Sequence, residues 1–345
     1  MNPTINEAAK LAPPPTPERI FQTLTAYQQT AALKAAIELD LFTAIAEGDD
    51  TTAKLAARTG AAERGVRILC DYLTVSQFLG KSAAGRYTLT QESAIFLDRR
   101  SPAYVGGIAE FLSGAHLGEA FARFTESVRK GGTVLEAEGS MTADHPMWED
   151  FARGMASIMR PAAADIARIT GVSEMSECKI LDIAAGHGIF GITLAEQNAQ
   201  AEVYAVDWQN VLAIAGRNAE AAGVAARFHP IPGSAFEVEF GDGYDLVLLT
   251  NFFHHFDPPT CETLMRKCHA ALKIGGRAVT LEFVPNEDRV TPPAEAAFAL
   301  VMLGTTPAGD AYTFSEFERM FRNAGFARSE SHQTMPGHII VSYKE

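Results

Sequence analysis

Apolar positions recur at helical spacing through the first third of the chain. Phe21 to Leu33 predicts one helix and Ala36 to Ile45 a second. Thr51 and Thr52 can cap a helix over TTAKLAARTG, which stops near Gly60. Glu63 to Phe78 predicts a longer helix, with Val66, Leu69, Tyr72 and Leu73 at helical spacing. Phe78 to Thr90 has the look of a β-hairpin, so three short helices and a hairpin sketch a winged helix. Helices are predicted over Tyr104–Leu112, Leu117–Arg129 and Met147–Arg160, with a loop-like 131–146 between the last two. Pro161 is expected to start a further helix that ends near Thr170. From Cys178 the pattern changes. Short apolar runs (KILDIAA, AEVYAVD, ARFHPIPG, YDLVLLTNFF) alternate with helical segments. The Gly275–Gly276 turn leads into RAVTLEFVP, and Arg328–His332 with His338–Ser342 close the chain as a strand pair. That alternation describes a doubly wound α/β sheet. Pro13, Pro14, Pro15 and Pro17 mark residues 1–17 as a loose arm.

Length and composition narrow the class. The 345 residues are enough for two domains, and 47% are apolar, so substantial cores are expected. A net charge of −13 argues against nucleic acid as the main partner. The helix of the winged outline that would read DNA offers Arg64 and Arg67 but also Glu63 and Asp71, and the helices before it are apolar and partly acidic. Packing or dimerisation suits this module better. Cys70, Cys178, Cys261 and Cys268 show no metal-ligand spacing and are expected as free thiols in a reducing compartment. The chain start lacks the features of a signal peptide, and no stretch is long and apolar enough to span a membrane. A cytoplasmic protein with no membrane or metal partner is therefore expected.

The strongest chemical signal is KILDIAAGHGIFG. Asp182 lies inside the predicted strand, Gly186, Gly188 and Gly191 follow in a turn, and Asp207 ends the next strand, 25 residues after Asp182. Glycines let a ligand approach the backbone, and helix-start N–H groups favour polar oxygens. The spacing also satisfies a dinucleotide fingerprint. However, a carboxylate at Asp182 would repel a pyrophosphate, whereas it can position an amino group. An acid at the next strand tip can hold the hydroxyls of a ribose. The order acid, glycines, acid therefore points to S-adenosylmethionine. The cofactor residues expected from this pattern are Asp182, Gly186, Gly188 and Asp207.

With these motifs the chain resembles the class I S-adenosylmethionine-dependent methyltransferases. It is most similar to the small-molecule O-methyltransferases of plants and bacteria. Phe253-His-His-Phe-Asp-Pro-Pro, CETLMRKCHAALKIGG, LEFVPNED and TFSEFERMFRNAGF carry the closer resemblance, which covers about Gln28 to Tyr343. It implies a C-terminal Rossmann-like methyltransferase domain (171–345), a helical winged-helix-like dimerisation domain (18–110) and linking helices contributing to the substrate pocket (111–170). It also implies a homodimer. The family's catalytic histidine falls on His254, its supporting glutamate on Glu282, and the family's next residue, an acid, on His255. A second supporting glutamate is missing: Ala311 takes its place, with Asp310 beside it. The resemblance adds Trp208, Gly233, Phe236 and Asn251 to the expected cofactor set, with Ser234 in the place of a second cofactor-site acid.

Methyl transfer from a sulfonium needs donor and acceptor aligned, and a hydroxyl acceptor must lose a proton. A histidine can take it, with a carboxylate fixing its tautomer. His254 with Glu282 is the expected pair, and His255 is the alternative base. Asp257 is expected to cap the following helix. The acceptor is expected to be a small aromatic or polyketide-like molecule. Met155, Met159, Phe298 and Met302, at helical spacing, are candidates to line its pocket, with helix packing as their alternative role.

Overall fold

The computed structural model describes residues 15–135 and 147–345, which divide into two compact units, one up to Gly106 and one from Gly107. The arm expected over 1–17 lies largely outside the described residues, as does most of the 131–146 loop. In the first unit helices run Glu18–Leu24, Ala26–Glu38, Leu41–Ala46, Thr52–Thr59 and Glu63–Val75. A hairpin follows, β1 Leu79–Lys81 and β2 Tyr87–Leu89, and then the helix Gln91–Phe96. The Thr51 hydroxyl accepts the Lys54 N–H, and Gly60 ends that helix at φ 67°, a conformation glycine adopts without strain. The winged outline is therefore present. Leu41, Phe42, Leu55, Val66, Cys70, Leu73 and Tyr87 fill its core. Arg67 on the third helix of the wing pairs with Asp71 at 3.2 Å rather than standing as a free phosphate contact. Ile20, Phe21, Leu24 and Tyr27 are 63%, 62%, 67% and 68% exposed, an apolar face along the first two helices.

The second unit is built on a seven-stranded sheet in the order β5-β4-β3-β6-β7-β9-β8. The strands are β3 Cys178–Ile183, β4 Ala201–Asp207, β5 Phe228–Pro232, β6 Tyr244–Thr250, β7 Leu272–Glu282, β8 Arg328–Gln333 and β9 His338–Tyr343. The first five are parallel; β9 pairs antiparallel with β7 and β8 antiparallel with β9. Side chains alternate across the sheet. Ile180, Val203, Leu246, Leu248, Val279 and Leu281 fill one core. Leu181, Ile183, Val206, Val247 and Leu249 fill the other, against Leu264, Met265, Phe317 and Phe321. The strand order reverses direction between β3 and β6, and in such sheets the crevice beyond the carboxyl ends at that point is where ligands bind.

Three local expectations change. Pro161 does not start a helix. It sits inside one continuous helix, Met147–Thr170. The apolar face runs straight across it: Met159, Ala162, Ala163 and Ile166 are all buried against the sheet. Burying that face offsets the roughly 3 kcal/mol that an interior proline costs. Likewise Gly275–Gly276 does not separate a helix from a strand. β7 begins at Leu272 and passes through the pair, with a register shift against β6 at Tyr244/Leu246. The helix expected over Leu117–Arg129 is two, Ala115–Ala122 and Phe124–Lys130.

Candidate active site

The turn after β3 places both acids. Asp182 is fully buried, and its Oδ2 accepts the Gly191 N–H at 3.1 Å. A side chain at Gly191 would collide with Val203 and with that same carboxylate, so the third glycine is required by packing. Oδ1 of Asp182 has no partner among the described residues. Gly186 and Gly188 take φ of 58° and 73°, and Gly188 faces Ala215 and Ile192 instead of the crevice. Across the turn, the Asp207 carboxylate accepts the N–H groups of Gly186 (2.8 Å) and Trp208 (2.7 Å). Burial raises the Asp182 carboxyl to about 7, and burial raises Asp207 to about 6.

A cavity of about 410 Å³ opens over these strand ends, within the usual range for a small-molecule site. Gly186, Asp207, Trp208, Gly233, Ser234, Phe236 and Asn251 all line it, seven of the nine residues named from the sequence. Gly188 and Asp182 shape the turn from behind. The wall beside Asp207 is apolar, with Val206, Val211, Ala235 and Phe236, and Trp148, Phe151, Phe252 and Phe256 add rings. An acceptor carboxylate facing an apolar, ring-lined slot suits a nucleoside. Lys267 fixes one side of the slot. Its ammonium donates to the carbonyls of Ala235 (2.9 Å) and Val238 (2.6 Å) and lies over the Phe240 ring. Nothing in the pattern of its helix distinguishes Lys267 from any solvated lysine. Phe151 also went unnamed from the sequence, because its spacing reads as ordinary helix packing.

Beyond β6 the chain makes a short 3-10 turn, Phe253–His255. One carboxylate organises it. Glu282, 1% exposed at the end of β7, accepts the N–H groups of Phe252 (2.9 Å) and Phe253 (2.8 Å) on Oε1. Its Oε2 meets Nδ1 of His254 at 2.6 Å. The His254 imidazole is thereby held through its Nδ1. Asp257 caps the next helix through Thr260, as its position predicts. Gly309 packs directly on the His254–His255 backbone, where a side chain would collide. Asp310 does not replace the missing second acid. Its carboxylate is engaged by Arg289 and by the Ala311 N–H, and Ala311 is buried.

His255, not His254, lines the cavity. Its ring lies 4.3 Å from that of His254 and edge-on to Trp148 at 5.5 Å. Burial pushes it well below the usual histidine value, and His254 pushes it the same way. The four residues expected around the acceptor do not line this cavity. Met159 is buried in the sheet core and Met155 packs against that core, because the Met147–Thr170 helix turns this face onto the sheet. Met302 is buried as well. Phe298 does reach the turn, edge-on to His254 at 4.8 Å and stacked on Phe283 at 4.0 Å. Among the described residues no cluster of acids, histidines and cysteines could hold a metal, and no helix is long and apolar enough to cross a membrane.

The family model of the O-methyltransferase domain matches residues 119–327, and that of the O-methyltransferase dimerisation domain matches residues 21–99. The 3-hydroxy-5-methyl-1-naphthoate 3-O-methyltransferase of Streptomyces sahachiroi is 29% identical over 312 residues, covering 90% of this chain and 89% of the relative. The L-tyrosine C(3)-methyltransferase of Streptomyces lavendulae is 27% identical over 309 residues, covering 85% of this chain and 82% of the relative. Among solved structures, a Nostoc punctiforme protein provisionally assigned as an O-methyltransferase superposes with a TM-score of 0.91 at 50% identity, covering 96% of this chain and all of that one. With a glycine turn and strand-end acid over a nucleoside-sized cavity, and both family domains matched in order, the chain belongs to the S-adenosylmethionine-dependent O-methyltransferases.

Proposed function

We propose that this enzyme methylates a hydroxyl of a small aromatic or polyketide-like metabolite, with His254 as general base. The observation that carries this reading is the buried 2.6 Å contact between His254 Nδ1 and Glu282 Oε2. S-Adenosylmethionine, when bound, supplies an electrophilic methyl on a sulfonium. Asp207 is assigned to the ribose hydroxyls, the Gly186 turn to the polar end, and Phe236 to the adenine. Asp182 stiffens the turn through Gly191 and adds negative charge near a cationic ligand. His254 takes the acceptor's proton at Nε2, and Glu282 holds the tautomer that leaves Nε2 open and stabilises the imidazolium that forms. Phe298, edge-on to the same imidazole, confines it and borders the acceptor. The naphthoate-methylating relative supports an aromatic acceptor. The dimerisation-domain match and the exposed Ile20–Tyr27 face support a homodimer.

A second reading is methyl transfer to carbon or nitrogen, where alignment does most of the work. Two observations favour it: Asp310 is turned to Arg289 instead of completing a second acid beside the base, and one relative is a C-methyltransferase. NMR of products made with a methyl-labelled donor and a panel of phenols and polyketide-like phenols separates the two. An O–CH₃ carbon is expected; label found only on ring carbon or nitrogen would replace the first reading by the second.

A further inference from the structure

His255 lines the cavity, and one of its ring nitrogens is buried without a hydrogen-bond partner. It is 9% exposed, it lines the cavity wall, and its Nδ1 has no hydrogen-bond partner among the described residues. Three further rings stand near it: Trp148 edge-on at 5.5 Å, Phe256 at 6.2 Å and Phe252 at 6.5 Å. A buried nitrogen left unsatisfied is unfavourable, so the fold keeps it there at some cost to stability. The neighbouring imidazole has a carboxylate; this one has none. His254 is clamped by Glu282, whereas no acid approaches His255 among the described residues.

We propose that His255 is a cofactor-positioning residue whose imidazole faces the sulfonium end of bound S-adenosylmethionine, favouring the cationic donor over its demethylated product. The argument is one of charge. A methyl delivered to an acceptor beside His254 has to leave from this end of the cavity, since the two imidazole rings lie 4.3 Å apart and only His255 lines it. An imidazolium there would repel a sulfonium, and a carboxylate would hold it but could also take the methyl. A neutral imidazole offers a nitrogen lone pair without either fault. Burial, reinforced by His254, keeps the ring uncharged. Trp148, Phe252 and Phe256 line the same cavity, and aromatic rings attract a cation. After transfer the donor sulfur is a neutral thioether, the attraction is lost, and product release is favoured.

The proposal rests on His254 as base only in placing the sulfonium at this end. Its test reads binding alone, whereas failure of the base assignment would show in turnover. Calorimetry of the full chain with S-adenosylmethionine and with S-adenosylhomocysteine should show His255→Leu weakening the first about tenfold and the second by less than about threefold. His255→Gln, which restores a neutral polar atom, should recover most of the loss. Equal losses for both ligands would make His255 a matter of shape, and unchanged affinities would turn it away from the sulfonium; either result overturns the proposal. Should the leucine variant fold poorly, nitrogen-15 spectra of the wild-type imidazole decide it. The His255 ring signals should move with S-adenosylmethionine and much less with S-adenosylhomocysteine; identical responses would overturn it too.

Discussion

Asp182 is fully buried and Asp207 half-buried at the rim of one turn, and their titration predicts how binding depends on pH. Burial is the main cause of both shifts, to about 7 and about 6, and Asp207 adds to the shift of Asp182. Both values lie above the ordinary aspartate value, so the fold favours the protonated forms. Without ligand, the two groups therefore cost stability above pH 7, and the cost fades as the pH falls toward 4. Ligand binding runs the other way, since ribose hydroxyls and a cation favour carboxylates. Affinity for S-adenosylmethionine should be greatest above pH 7 and fall on acidification, by up to about tenfold per pH unit for each group below its value. The rise in melting temperature on adding the cofactor should shrink steadily from pH 8 to pH 5; a rise independent of pH would remove both acids from the site. These two acids were legible in the sequence because strand-turn-helix spacing fixes where they end up. His255 was harder. Two adjacent histidines alternate sides in an extended chain, and only the 3-10 turn decides which lines the cavity. Met155 and Met159 share a helical face, as their spacing says, but spacing does not reveal that this face turns to the sheet.

At the level of elements, the 252–255 turn depends on one strand-end carboxylate. Glu282 accepts two short backbone N–H bonds and contacts an imidazole, all in a buried position. Glu282→Ala would strand those donors and should destabilise the fold by roughly 3–5 kcal/mol. Glu282→Gln can keep accepting on its oxygen, but its amide would then face Nδ1 as a donor and favour the wrong tautomer. We expect a melting temperature near that of the wild type with turnover lowered at least tenfold. A glutamine variant with full turnover would leave Glu282 a purely structural anchor. The strand alternation from Cys178 onward, the hairpin and the Thr51 and Asp257 caps were readable because each has a local cause. Pro161 misleads for a global reason: it reads locally as a helix start, but the buried face that carries the helix through it exists only once the sheet is in place.

For the whole molecule, the dimerisation-domain match and four half-or-more exposed apolar residues at Ile20, Phe21, Leu24 and Tyr27 belong together. Leaving so much apolar surface in water on one face is unfavourable, and a second copy is the partner the family match provides. Light scattering at micromolar concentration should give twice the chain mass, and Phe21→Asp with Tyr27→Asp should shift the protein toward monomer; a wild-type monomer would contradict the assembly. The account as a whole turns on His254 as the group that takes the acceptor's proton. A general base contributes about 10²–10⁴ in rate, so the direct measurement is the single-turnover rate of His254→Ala with the cofactor already bound. The account predicts a rate lowered by at least about a hundredfold with cofactor affinity within about twofold of wild type. Methyl transfer to a hydroxyl at the wild-type rate in that variant would contradict it.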